Sequence, residues 1–249
     1  MKKIGLLLAT LLVVVGCSQK DEVQTVRLAV DVPYEPFEYK APDGSLTGFE
    51  IELGDAVCAE MKVECEWVIQ AWDGIIPGLL ANKYDAILSS MSITEERAKK
   101  VAFSNGYYNT PSAWFAKKGS GVDLNNLDGK RIGAQRGTIQ DDHATDNFPG
   151  AEMVRYGTAD ELVLDLEGGR LDVVLLDFPV GESTILGGDN GSEYEVLGDH
   201  LQLGDGAGVA VRPADTELLA KFNAALDVVK GNGVYDDIRK KYFAYDIKI

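Results

Sequence analysis

From Val26 to Val32 the chain runs Val-Arg-Leu-Ala-Val-Asp-Val, mostly alternating apolar and polar as a strand does, and Pro33-Tyr-Glu-Pro36 then stops the pairing. Asp31 therefore falls near a strand's carboxyl end. After the turn Pro42-Asp-Gly44, the residues Phe49, Leu53, Val57 and Met61 recur at helical spacing, and 63–69 reads as a second strand. Trp72 follows a loop and opens a helix with Asp73 as its cap, and Tyr84 to Ser89 returns as a strand. A second set starts after Tyr107 to Pro111: a strand over 113–116, a turn and strand over 127–134, and a helix start at Arg136 to Asp142. Thr158 to Leu166 predicts a capped amphipathic helix, and Leu171 to Asp177 a buried strand. The glycines of 204–208 precede a strand and do not join one to a helix, so they are not a nucleotide loop. Two amphipathic helices, 216–230 and 234–243, close the chain around Gly231-Asn-Gly233. Strands alternating with helices give an α/β fold with parallel sheets and right-handed crossovers.

Ligands of such sheets bind outside the carboxyl ends of the strands. Asp31, Tyr34, Trp72 and the stretch Ser89-Ser90-Met91-Ser92-Ile93-Thr94-Glu95-Glu96-Arg97 all fall there. Small hydroxyl residues followed by an arginine suit a carboxylate, which a guanidinium grips with both oxygens. The same stretch also reads as a capped helix start, with Ser92 or Thr94 as cap and two glutamates at the positive end of the dipole. Gly137 and Thr138 expose further N–H groups at a helix start, next to Ile139 and Gln140. Asp177 ends its strand either as a cap for the helix from Pro179 or as an acceptor for an ammonium group.

Composition narrows the classes. A chain of 249 residues with 45% hydrophobic content forms one or two globular cores. Forty acidic against 24 basic residues give −16, which disfavours nucleic acid and anionic lipid as partners. Met1-Lys2-Lys3 before the apolar run Ile4 to Val15 is an export leader too short to span a bilayer. Val14-Val15-Gly16-Cys17 looks like a lipobox, which would make Cys17 the lipidated first residue; an ordinary secretory leader is the alternative. Cys58 and Cys65 close a short loop and read as a disulfide in an exported chain, with two buried thiols as the alternative. No metal-binding spacing or nucleophile-base set is visible, and no cofactor is expected.

Tyr34-Glu-Pro-Phe37, Gly48-Phe49-Glu-Ile51, Ser89 to Arg97, Gly129-Lys-Arg-Ile-Gly133, Gly168-Gly-Arg-Leu-Asp172 and Lys240-Lys-Tyr-Phe243 together resemble the solute-binding proteins of ABC amino-acid importers. The resemblance is to the lysine/arginine/ornithine and histidine binding group and covers essentially the whole mature chain. It implies a type II periplasmic-binding-protein fold, two α/β lobes joined by two hinge strands. The expected divisions are a signal peptide over 1–16, a lipidated tether over 17–25, lobe 1 from 26–109 with 206–249, and lobe 2 from 112–200. The hinges are expected near 110–111 and 201–205. The resemblance further implies a monomeric, non-enzymatic receptor in the periplasm or at the cell surface, held to the membrane by its lipid alone and serving an ABC permease.

Its roles carry over residue by residue. Arg97 would hold the ligand's α-carboxylate with the N–H groups of Ser92 and Ile139. Asp177, the Ser90 carbonyl and the Ser92 hydroxyl would hold the α-ammonium. Tyr34 and Trp72 would sandwich the side chain, and Asp31 with Ser89 and Gln140 would reach its far end. Cys58 and Cys65 match the group's disulfide. Trp72, Gln135, Arg136 and Ile139 depart from commoner residues, and an inward Arg136 would repel a cation. Arginine is the leading ligand, then lysine, ornithine or histidine. A glutamine receptor and a cyclohexadienyl-dehydratase-like enzyme, with Glu35 or Glu38 as acid, are the alternatives.

Overall fold

The computed structural model describes residues 24–249, so the leader and Cys17 lie outside the described residues. The first half runs β1 (Thr25–Val30), the short pair β2 (Tyr39–Lys40) and β3 (Leu46–Thr47), α1 (Phe49–Met61), β4 (Glu64–Ile69), α2 (Ile75–Leu80), β5 (Ala86–Ile87), α3 (Glu95–Ala98) and β6 (Ala102–Phe103). The second runs β7 (Ser112–Lys117), β8 (Arg131–Gln135), α4 (Ile139–Asn147), β9 (Glu152–Tyr156), α5 (Ala159–Glu167), β10 (Val173–Asp177), α6 (Phe178–Gly181) and β11 (Tyr194–Leu201). The chain then returns through β12 (Ala210–Val211) to α7 (Thr216–Gly231) and α8 (Val234–Tyr242).

One sheet has the order β4-β1-β5-β12-β6 and the other β11-β7-β10-β8-β9. β1 pairs in parallel with β4 and β5, and β8 with β9 and β10. The sheets are nevertheless mixed, because β12 runs antiparallel to β5 and β6, and β7 antiparallel to β10 and β11. β7 and β12 are entered from the other sheet and not through a covering helix, so no crossover forces them parallel. The segments that carry the chain between sheets lie side by side: Tyr107 N–H donates to the Ala207 carbonyl at 3.0 Å and Ala207 N–H to the Tyr108 carbonyl at 2.8 Å.

Local chemistry explains most elements. Val26, Leu28 and Val30 point β1 into the core, and all of β10 is buried between its two neighbours. Each sheet repeats one device at a strand start, with Arg27 paired to Asp85 and Arg131 to Asp172, both at 2.9 Å. Thr158 and Glu161 form a reciprocal capping box on α5. Gly48 precedes α1 at φ 125°, where a Cβ would overlap the Phe37 carbonyl. Cys58 and Cys65, with Cα atoms 6.1 Å apart, have their sulfurs in bonding contact and tie α1 to β4. Asp73 caps nothing, since Ala71 and Gly74 precede the 3₁₀ turn 72–74 and α2 without side-chain bonds. Only Ala86–Ile87 pairs within the apolar run from Tyr84 to Ser89, and β9 and β11 were not anticipated. Both are edge strands with half-exposed, charged sequences, so neither presents an apolar run.

Phe49 joins the two ends of the chain. Its ring meets Phe37, Tyr108, Tyr235 and Phe243 edge-on at centroid distances of 5.4–6.3 Å. Phe49→Ala is expected to cost about 3–5 kcal/mol in denaturant unfolding, because a buried aromatic is deleted where several elements meet. A cost below about 1 kcal/mol would show that the cluster repacks freely.

Candidate ligand-binding site

The sheets face each other across a narrow polar cavity. Asp31, Tyr34, Trp72, Ser89, Ser90, Ser92, Arg97, Ile139, Gln140 and Asp177 all line it, together with Glu38, Gln135 and Thr138. Strand ends deliver most of them. Asp31 follows β1, the Ser89 to Arg97 stretch follows β5, Gln135 ends β8 and Asp177 ends β10.

In the Ser89 to Arg97 stretch both readings hold at once. Thr94, and not Ser92, caps α3 by accepting the Arg97 N–H at 3.2 Å. The Arg97 side chain turns back so that Nη1 donates to the Ser92 carbonyl at 3.0 Å and Nη2 to the Gly137 carbonyl at 3.4 Å. Its guanidinium carbon sits 5.2 Å from the centre of the Trp72 ring, a cation–π contact. Burial lowers the Arg97 pKa, opposed first by Asp142 and then Asp177, yet guanidinium stays charged. The Gly137 carbonyl is aimed by its surroundings. Thr138 caps α4 by accepting the Asp141 N–H at 3.2 Å, and the Asp141 carboxylate accepts Gly137 N–H at 3.1 Å and Arg155 at 2.8 Å.

Asp177 makes no capping bond to α6. Its carboxylate instead accepts Tyr34 O–H at 2.6 Å, Gln140 Nε2 at 2.9 Å and Ser112 Oγ at 3.5 Å. Asp31 accepts Gln135 Nε2 at 2.6 Å, and its own N–H donates to Ser89 Oγ at 2.9 Å. Gln140, expected beside Asp31, thus serves Asp177, because it sits in the first turn of α4 next to the end of β10. Gln135 takes the place beside Asp31. Arg136 points away from the cavity, half exposed and 3.6 Å from Asp73 across the cleft mouth. Trp72 donates its indole N–H to the Gly137 carbonyl at 3.0 Å, while the Tyr34 ring stacks on Phe37. The Ile139 and Gln140 N–H groups fall in the first turn of α4, where no helical carbonyl lies behind them.

These contacts pair residues of one sheet with residues of the other, so the lobes are closed on each other. Burial pushes Asp177 up to about 6 against the hydrogen bond from Tyr34 and the charge of Arg97. Burial likewise pushes Asp31 up to about 6, against hydrogen bonds from Gln135 and the Trp72 backbone. The cavity is lined by three carboxyl groups, Asp31, Glu38 and Asp177, and one guanidinium, and the described residues hold no cluster fit for a metal ion.

Sequence reasoning had no role for Gln135, Ser112 or Glu50. Gln135 ends an apolar strand in the same way as Asp177 and was findable by that position; Glu50 reads as an ordinary acid in a helix's first turn.

Two mixed sheets closing over one polar cavity define a two-lobed type II periplasmic-binding-protein fold. The chain belongs to the bacterial extracellular solute-binding proteins, family 3, whose model matches residues 26–245. It is 43% identical over 255 residues to the L-arginine-binding protein of Pseudomonas aeruginosa, covering 99% of this chain and 98% of that one. It is 38% identical over 232 residues to the lysine/arginine/ornithine-binding periplasmic protein of Escherichia coli, covering 90% and 89%. A solved structure of an ancestral arginine-binding protein bound to arginine superposes with a TM-score of 0.82 at 34% identity, covering 88% of this chain and 98% of that one.

The raised carboxyls set a pH dependence. Above about pH 6 both groups are ionised in the folded protein and the burial penalty stands in full; as pH falls through that value the folded protein takes up protons that the unfolded chain does not yet bind. Protein dialysed free of amino acids should therefore gain stability from these groups between about pH 7 and pH 5. The doubly substituted Asp31→Asn, Asp177→Asn protein should show a smaller difference in Tm between those conditions, and an equal difference would place both carboxyls in water.

Proposed function

We propose that this chain is the exported receptor of an ABC amino-acid importer, binding a cationic L-amino acid between its lobes and delivering it to a membrane permease. Arginine is the leading ligand, followed by lysine, ornithine and histidine. The charge count of the cavity carries this reading. Of the ionisable residues that line it, burial favours the neutral form of Glu38, which leaves two acids, Asp31 and Asp177, and one cation, Arg97, each met by neutral groups of the protein, and a basic amino acid brings two cations and one anion. The names of the similar proteins support the same class, as does the match over nearly the whole length.

In this reading Arg97 and the first-turn N–H groups of α4 hold the α-carboxylate, Asp177 and Ser90 hold the α-ammonium, and Asp31 takes the side-chain cation. Ser92 orients Arg97 through its carbonyl. Tyr34 and Trp72 wall the alkyl part. Closure follows from binding, since the ligand gives charges on both lobes a partner that an open cleft leaves to water. Lobe 1 is 26–109 with 206–249, lobe 2 is 112–200, and the hinges are near 110–111 and 201–205. Cys58 and Cys65 are oxidised, and residues 1–16 are a leader that leaves Cys17 as a lipid anchor on a periplasmic or cell-surface monomer. The protein binds without chemistry: a dicarboxylate of the kind a cyclohexadienyl dehydratase takes would be repelled by Asp31 and Asp177.

One observation favours a second reading. The Gln135 amide already donates to Asp31 at 2.6 Å, so a ligand carboxamide, as in glutamine, can satisfy that end of the cavity. Calorimetry against a panel of amino acids separates the two. Arginine is expected to bind at micromolar Kd or tighter, about −8 kcal/mol; no heat with any basic amino acid overturns the leading reading. Asp31→Asn should weaken arginine at least about tenfold more than glutamine, and equal losses would remove Asp31 from side-chain recognition. Arginine affinity should rise between about pH 5 and pH 7 as the two acids ionise. Cys17→Ser in the full chain should move the protein from the membrane to the soluble exported fraction, and unchanged membrane association would exclude the lipid anchor.

A further inference from the structure

At the cavity floor lies a buried carboxyl pair, Glu38 and Glu50, that ligand binding, as argued so far, does not use. Tyr107 O–H donates to Glu50 Oε1. Glu50 Oε2 accepts the Ser90 N–H at 2.5 Å and Ser90 Oγ at 3.1 Å. Glu38 meets Glu50 at this hydroxyl, with its Oε2 3.5 Å from Ser90 Oγ. Ser89 Oγ donates to Glu38 Oε1 at 2.8 Å and accepts the Asp31 N–H at 2.9 Å. Glu38 is 1% and Glu50 0% exposed, and no cation contacts either among the described residues.

Counting protons assigns the states. Ser90 has one hydroxyl proton, and Glu50 is its nearer acceptor. Ser89's single proton goes to Glu38. Burial raises Glu50 too, but its three donors oppose that and favour its charged form, whereas Glu38 has one. Two carboxylates meeting at one hydroxyl in a buried site cannot both be charged, so the pair needs a proton, and Glu38 is the member left to carry it. Burial, and next the charge of Glu50, push Glu38 well above the usual carboxyl range. The other groups facing Glu38 agree: Asp31 from the end of β1, Tyr34 from its own loop, and Tyr107 and Tyr108 from the crossing segment, all anionic or neutral.

What the pair holds is the least relaxed backbone of the site. Ser90 has φ 50°, a left-handed conformation uncommon for a residue with a side chain. Glu50 clamps both its N–H and its hydroxyl, and Ser89 relays the clamp to the Asp31 backbone. We propose that Glu38 and Glu50 are positioning residues for ligand binding, a carboxyl pair sharing one proton that locks Ser89, Ser90 and the Asp31 backbone in the geometry the cavity requires. This rests on the receptor reading only for its affinity readout.

Glu38→Gln keeps a donor for Glu50 and an acceptor for Ser89, but has no proton to lose. It is expected to retain most of the arginine affinity at about pH 7, whereas Glu38→Ala and Glu50→Gln lose at least about tenfold with a native circular dichroism spectrum. Equal losses for Glu38→Gln and Glu38→Ala would overturn the proposal. Infrared spectroscopy of the full chain at about pH 8, where Asp31 and Asp177 are ionised, reads the proton with no amino acid present. A protonated-carboxyl stretch is expected in the wild type and absent from Glu38→Gln; a wild type without it overturns the shared proton even if arginine binds. Failure of the wild type to bind any basic amino acid would instead strike the receptor reading, with the infrared band still deciding the proton.

Discussion

A carboxylate or guanidinium taken out of water costs several kcal/mol unless the protein supplies partners for it. Between the lobes this chain gathers Asp31, Asp177 and Arg97, with Glu38 and Glu50 directly beneath, and the architecture around them is organised by that cost. Each charge is met by fixed neutral groups: a phenol, an amide and a hydroxyl at Asp177, an amide at Asp31, two carbonyls and an indole face at Arg97. Neutral partners reduce the penalty without cancelling the charge. The site therefore stays attractive to a ligand of opposite charge, which a set of internal ion pairs would not allow.

Many of these partners come from the opposite lobe. Tyr34 reaches Asp177, Gln135 reaches Asp31, and Trp72 and Arg97 both reach the Gly137 carbonyl. The closed cleft thus brings these partners to the buried groups, and the two segments that cross between the sheets are bonded to each other through Tyr107, Tyr108 and Ala207. Tyr107 belongs both to this crossing and to the chain through Glu50 and Glu38, so the floor of the cavity and the junction of the lobes share a residue.

Much of this was legible along the chain. The strand of Val26 to Val30 and the helix of Phe49 to Met61 followed from periodicity, and the capping box at Thr158 from its residue types. All ten expected site residues line one cavity, because in an α/β sheet position at a strand's carboxyl end already predicts proximity. Edge strands β9 and β11 were not legible, since strands half in water need no apolar pattern. The exchange of Gln135 and Gln140 was not legible either: they are five residues apart, and which amide meets which acid depends on where β8 ends relative to β10.

The sequence by itself thus determined the inventory: local elements whose signals are carried by neighbouring residues, and a set of charged and aromatic groups at strand ends. Only the tertiary structure decided the pairings. Glu38 and Glu50 stand in the sequence as one acid near a turn and one in a helix's first turn, until the fold buries both and brings both to the Ser90 hydroxyl. Desolvation and through-space hydrogen bonding have no signature in sequence order, because they depend on what the rest of the chain places around a group.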